Sequence, residues 1–193
     1  MFRSKFLPMV LGTAVALGAA GCALANTEHD EHSREMAAAL AAKISPVQAI
    51  AKAEKQSGGR AIKIDIDRKE GAYVYDVKTV SKDKVESVLV DPDSGKIFRS
   101  HERGWLSKIL DDEDSDEIAS LTSSPTTLTA AITTAQQNVG GKAFEARFDD
   151  EHDHLRIKVE VAKDATVHRV TIDGTDGKIV SNTTGEHGHF DWD

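Results

Sequence analysis

The sequence predicts an α+β protein made of two tandem repeats, each with one helix packed on an antiparallel sheet of three to four strands. Three observations carry this. The two halves of the chain align without a gap at an offset of 82 residues, with Gly58-Gly59 falling on Gly140-Gly141. Each half opens with a helical period that stops at that glycine pair. Behind the glycines, apolar and polar residues alternate in short runs separated by turn residues, which is the pattern of half-buried strands.

The repeat is dense. Ala49, Ile50 and Ala53 fall on Ala131, Ile132 and Ala135; Ala61 and Asp67 on Ala143 and Asp149; Val77 on Val159. Val85, Val88 and Asp91 fall on Val167, Val170 and Asp173, and Gly95-Lys96-Ile97 on Gly177-Lys178-Ile179. So many matches in one register read as a tandem duplication. With 193 residues the chain has room for one medium domain or two small ones.

Taken in order, residues 1–25 read as an export signal. Arg3 and Lys5 precede an apolar run from Phe6 to about Ala20, and Ala23-Leu24-Ala25 supplies a small-x-small cleavage site. The run is too short and too rich in Gly and Ala for a membrane span of about 20 residues. Two outcomes stay open: cleavage after Ala25, giving a soluble periplasmic protein, or lipidation at Cys22, since Ala20-Gly21-Cys22 resembles the end of a lipoprotein box. Cleavage is preferred, and it leaves no cysteine for an oxidising compartment. Residues 26–43 form a polar, His-containing head and an Ala-rich helical lead-in.

The first repeat occupies 44–100. Ser45 caps a helix with Pro46 in its first turn, and Gly58-Gly59 ends it. Ile62, Ile64 and Ile66 alternate with Lys63 and Asp65, and Tyr73, Tyr75, Val77 and Thr79 repeat the period. Val88 and Val90 follow, and Asp91-Pro92-Asp93-Ser94-Gly95 turns the chain into Ile97-Phe98, with Asp91 and Gly95 in turn-making roles. The second repeat occupies 126–183: a helix at 127–139, then strands near 142–148, 155–162, 167–173 and 178–182. Between them, 101–125 is an acidic linker in which Trp105, Leu106, Ile109 and Leu110 precede the run Asp111–Glu117. A His and acid tail closes the chain at 184–193. Domains of some 60 residues without disulfides are marginal alone, so packing between copies or a homodimer is expected.

These residues resemble a PepSY domain in each half: a glycine-ended helix, an alternating strand, a second strand, then Val-Asp-x-x-x-Gly-Lys-Ile at a hairpin. The endings are Val90-Asp91-Pro92-Asp93-Ser94-Gly95-Lys96-Ile97 and Ile172-Asp173-Gly174-Thr175-Asp176-Gly177-Lys178-Ile179. PepSY modules occur in propeptides of thermolysin-like metallopeptidases and in small exported bacterial proteins. The resemblance implies a non-enzymatic envelope module whose partner is an exported protein, a peptidase foremost. It implies no catalytic residues.

Composition and motif searches agree with that class. Asp and Glu exceed Lys and Arg by 32 to 24, and aromatics are only 5%, so the chain lacks the basic face and stacking rings of a nucleic-acid binder. His101-Glu102-Arg103-Gly104-Trp105 begins like a zinc-peptidase motif but has Trp105 where the second ligand is required. No nucleophile elbow or phosphate loop is present. No catalytic residue, and no cofactor, is expected. The alternative function is transition-metal binding or sensing in the periplasm. His29 and His32, His152 and His154, and His187 and His189 stand in acidic clusters, and neutral imidazole suits copper, zinc or nickel. Tyr73, Tyr75, Phe98, Phe144 and Phe148 are tempting contact residues, but their alternation assigns them to the core.

Overall fold

The computed structural model describes residues 22–81, 84–102, 121–151, 154–164 and 166–185, with side chains from residue 31 onward except at 99–102, 150 and 151. The expected leader up to residue 21, the acidic run 111–117 and the tail from 186 lie outside the described residues. In chain order the elements are α1 (Cys22–Ala41), α2 (Pro46–Ser57), β1 (Arg60–Lys69), β2 (Ala72–Ser81), β3 (Lys84–Val90) and β4 (Ile97–Glu102). Then follow α3 (Leu128–Val139), β5 (Lys142–Glu151), β6 (His154–Lys163), β7 (Thr166–Asp173) and β8 (Ile179–Gly185).

The helices start and stop where their caps dictate. Ser45 Oγ accepts from Gln48 N at 3.2 Å while Gln48 Oε1 accepts from Ser45 N at 2.8 Å, a reciprocal capping box with Pro46 at the first position. Thr127 Oγ1 accepts from Ala130 N at 3.1 Å at the head of α3. Gly58 (φ 68) and Gly140 (φ 74) end α2 and α3 in the left-handed conformation. The glycine after each is needed for a different reason: a Cβ on Gly59 would lie 2.6 Å from Val80 O, and one on Gly141 2.3 Å from Ala162 O.

The strands do not form two sheets. They form one antiparallel sheet of eight, in the order β4-β3-β2-β1-β5-β6-β7-β8, where two separate sheets of three to four were expected. The reason is that β1 and β5, each the inner edge of its own four strands, pair with each other. Lys63 lies opposite Arg147 and Ile64 opposite Ala146. Ile64 and Ala146 are themselves 82 residues apart, so a local two-fold axis passes between them.

Further local features recur at that same spacing. Bulges fall between Ala61 and Lys63 and between Ala143 and Glu145, and again at Leu89/Val90 and Thr171/Ile172. Ala61 N donates to Glu54 Oε1 and Ala143 N to Gln136 Oε1, both at 2.9 Å. In the closing turns Asp91 Oδ1 accepts from Asp93 N and Ser94 N, as Asp173 Oδ1 does from Thr175 N and Asp176 N. These bonds hold both carboxyls below the usual range, and they bear out the turn role read for the two aspartates.

α2 and α3 cover one face of the sheet. There Ala49, Ile50 and Ala53, with Ala131, Ile132 and Ala135, pack on Ile64, Tyr75, Val77 and Val88 and on Ala146, Ile157, Val159 and Val170 in one continuous core. Tyr75, Phe144 and Phe148 are buried as expected and Tyr73 is partly buried, whereas Phe98 is 55% exposed. The described ends of the expected linker are built into the fold: residues 101 and 102 finish β4, and Leu121 is buried in the core.

Candidate functional site

Strand alternation sends every second residue of β1, β5, β6 and β7 to the sheet face opposite α2 and α3. On that face the sequence places Lys63, Asp65 and Asp67, then Glu145, Arg147 and Asp149, then Lys158 and Glu160, then Arg169. α1 lies over the β1–β5 seam on this side. His32, Glu35, Met36 and Ala39 are spaced as one helical face, and Met36 and Ala39 are buried in the core. The His32 ring meets Phe144 edge-on, with centroids 5.4 Å apart.

The result is a half-buried ionic layer. Glu160 is 1% exposed; its Oε1 accepts from Arg169 Nη2 at 2.8 Å. Its Oε2 has no hydrogen-bond partner among the described residues, and His32 Nε2 stands 3.5 Å away. Lys63 Nζ pairs with Asp65 at 2.8 Å and Lys158 Nζ with Asp149 at 2.6 Å. Burial pushes the Glu145 carboxyl up to about 7, reinforced by Glu160 and opposed by Lys63 and Arg147. Burial likewise pushes Glu35 up to about 7, with Asp67, Glu31, Asp65 and Glu145 adding repulsion. Asp65 is raised by burial against the attraction of Lys63. Three carboxyls that resist ionisation, Glu35 on α1 and Asp65 and Glu145 on the strands beneath it, make this layer proton-sensitive.

Two cations tie the halves together across the seam. Arg60, at the start of β1, donates to Thr122 O, Ser124 O and Thr126 O at 2.9, 2.6 and 2.8 Å, just before α3. Lys142, at the start of β5, donates to Leu40 O and Ala42 O at 3.3 and 2.7 Å, at the end of α1. The pairs are equivalent under the 82-residue shift, so each half caps carbonyls leading into the other half's helix.

The six candidate histidines are not gathered into one site. His32 faces the ionic layer, and His154 opens β6 exposed to solvent. His29 lies on α1 with its side chain outside the described residues, and His152, His187 and His189 lie outside them altogether. Among the described residues no three His, Cys, Asp or Glu side chains are placed to hold a metal ion. Cys22 is the first described residue of α1. The ionic layer itself escaped sequence reasoning, because its charges read as an ordinary solvent face; the spacing of His32, Glu35, Met36 and Ala39 was the signal available.

The outer edges of the sheet are β4 and β8. Phe98 on β4 and Val180 on β8 are 55% and 52% exposed, and they too are 82 residues apart.

Comparison with known proteins places the first half. Residues 43–101 match the family model PepSY, described as "Peptidase propeptide and YPEB domain". A PepSY domain is thus detected at residues 43–101. That span runs from three residues ahead of α2 to the penultimate residue of β4, so the matched segment supplies one outer edge of the sheet. No curated protein matches the chain significantly. Among solved structures, a candidate lipoprotein from Clostridium difficile 630 is similar with 17% identity and a TM-score of 0.45, over 75% of this chain and 95% of that one. Among the described residues no helix is long and apolar enough to cross a membrane.

Proposed function

We propose that the chain is an exported, non-enzymatic binding module built from a duplicated PepSY unit, which engages an exported protein, a peptidase foremost, through the free edge of β4. The observation that carries this reading is the PepSY match at 43–101, whose last strand is the sheet's outer edge and presents Phe98 to solvent. An unpaired edge accepts an extended segment by backbone hydrogen bonds, and an exposed aromatic beside it adds apolar contact. The duplication is supported by bulges, caps and turns that recur at one spacing. The leader supports a periplasmic location, with anchoring through Cys22 as the alternative.

The test is capture from the native envelope fraction with the mature protein as bait, followed by inhibition assays on each peptidase recovered. Ser100→Pro removes one β4 amide and is expected to abolish capture, and Phe98→Ala to weaken it; capture unchanged by both refutes the edge. As a second reading we propose capture of copper, zinc or nickel by His152 and His154, of which His154 is exposed at the start of β6 and His152 lies two residues before it in the sequence. Calorimetry with each metal on wild type and on His152→Ala/His154→Ala decides it: heat that the double variant retains refutes it.

A further inference from the structure

The two edges of the sheet are guarded differently. The sequence of β4 contains Arg99, His101 and Glu102, so β4 set against its own copy brings like charges together, a cost that a foreign strand of complementary charge does not meet. β8 contains no Lys, Arg, Asp, Glu or Pro. Its residues 180–184 are all exposed. The one irregularity in its pairing with β7 lies near its start, and from Ser181 to Gly185 the register is even, so no bulge twists the rest of the edge away. Thr183 and Thr184 favour extended backbone, and Val180 offers an apolar side chain beside them.

β8 is also held in shape before anything docks. Asn182 Nδ2 donates to Asn138 Oδ1 on α3 at 2.9 Å, and Asn182 Oδ1 lies 3.3 Å from His168 Nδ1 on β7. A strand fixed in this way loses little further freedom on pairing. The occupant is suggested by the seam in the middle of the sheet. There the chain joins two four-stranded halves edge to edge, antiparallel, about a local two-fold through Ile64 and Ala146. A strand pairing with its own copy about a two-fold brings every charge it has near its mate, so the uncharged edge is the one that self-pairs without repulsion.

We propose that β8 is a self-association edge, at which a second copy of this chain adds its own β8 antiparallel and continues the sheet across a true two-fold axis. The helices α2 and α3 of both copies then lie on one face of the doubled sheet, and β4 stays free at both outer ends. The inference stands apart from the proposed partner of β4: either can fail without the other.

The experiment uses the chain from Asn26 onward. Sedimentation equilibrium over a wide concentration range is expected to show a monomer–dimer equilibrium. Ser181→Lys combined with Thr183→Lys gathers four like charges about the axis and is expected to weaken association about tenfold or more. Ser100→Lys on β4 is expected to leave it unchanged. Thermal melting checks that each variant is folded. Hydrogen exchange on the wild type supplies an independent reading, because amides of residues 181–184 gain protection as concentration rises only if β8 is the interface. A monomer at every concentration overturns the proposal. So does a dimer that the folded β8 variant leaves intact, or one whose β8 amides exchange at the same rate at all concentrations.

Discussion

Replacing Glu145 by Gln should stabilise the protein at alkaline pH and flatten its stability profile. The Glu145 carboxyl has a pKa of about 7 in the folded protein against 4.5 for the free side chain. Between those values the native state retains a proton that the unfolded chain has released, so stability falls as pH rises through this window and levels off above it. Linkage over that shift amounts to a loss of about 2 kcal/mol between pH 5.5 and pH 8. Glu35 contributes in the same direction, by roughly 1 kcal/mol once screening of its part-exposed side chain is allowed for. Because Glu145 is one of the carboxylates that raise Glu35, the single substitution removes its own titration and part of its neighbour's. At about 2–4 °C per kcal/mol for a chain of this size, wild type should lose roughly 6–12 °C of melting temperature from pH 5.5 to pH 8. Glu145→Gln should lose less than half of that. Urea and thermal unfolding followed by circular dichroism measure both, repeated on a His32→Ala background that removes the imidazole beside Glu160. A wild-type stability that rises or stays level across this range, or a variant with the wild-type slope, would falsify the reading of the ionic layer.

Other outcomes follow from the geometry. Arg60→Ala should cost about 2–3 kcal/mol in urea unfolding, since it removes three charge-assisted hydrogen bonds to carbonyls and the guanidinium 5.8 Å from the Phe148 ring; Arg60→Lys should recover part, because Lys142 does the same work at the equivalent position. Gly59→Ala should cost at least about 2 kcal/mol, because its Cβ meets the Val80 carbonyl, while Gly71→Ala, at φ 89 with open space around it, should cost about 1 kcal/mol. The chain should unfold in a single calorimetric transition, since both halves share one core; two resolved transitions would show that the halves are independent. Below the ordinary Asp value of 3.8 stability should fall again, as Asp91 and Asp173 are protonated and lose their turn amides.

Much of this architecture was legible in the sequence because it is local. Ser45, Pro46 and the glycine pairs fix the helix ends within a few residues of chain, and alternation such as Ile62-Ile64-Ile66 fixes which side of a strand is buried. The 82-residue register located the second helix and its strands from the first. The aromatic assignments show where locality stops. Alternation placed Tyr75 and Phe148 in the core correctly, but it gives the same answer for Phe98, which sits beside a bulge on a strand that is outermost among the described residues. Alternation reports a face; it does not report how many neighbours that face has.

The same limit hid the ionic layer, and there the physics is more specific. Lys63, Asp65 and Asp67 on one strand, like Glu145, Arg147 and Asp149 on another, are what a solvent-facing half of a strand looks like, and in an isolated four-stranded unit they would be that. Two long-range events change their setting. Pairing of β1 with β5 brings Glu145 into the field of Lys63 and Asp65 across the seam, and α1 then closes over the junction with His32 and Glu35 facing down. Neither event has a signature within a strand. Each is visible only when the 82-residue recurrence is taken as a symmetry operation: a half whose inner strand has a free edge, followed on the same chain by a half of the same pattern, is placed to meet it through those edges. Once they meet, one-half of the unit's edge-strand problem is solved internally, and what remains exposed is the outer pair, β4 and β8. The function proposed for the chain, and the self-association proposed beside it, both reside on the edges that the pairing of β1 with β5 leaves outermost.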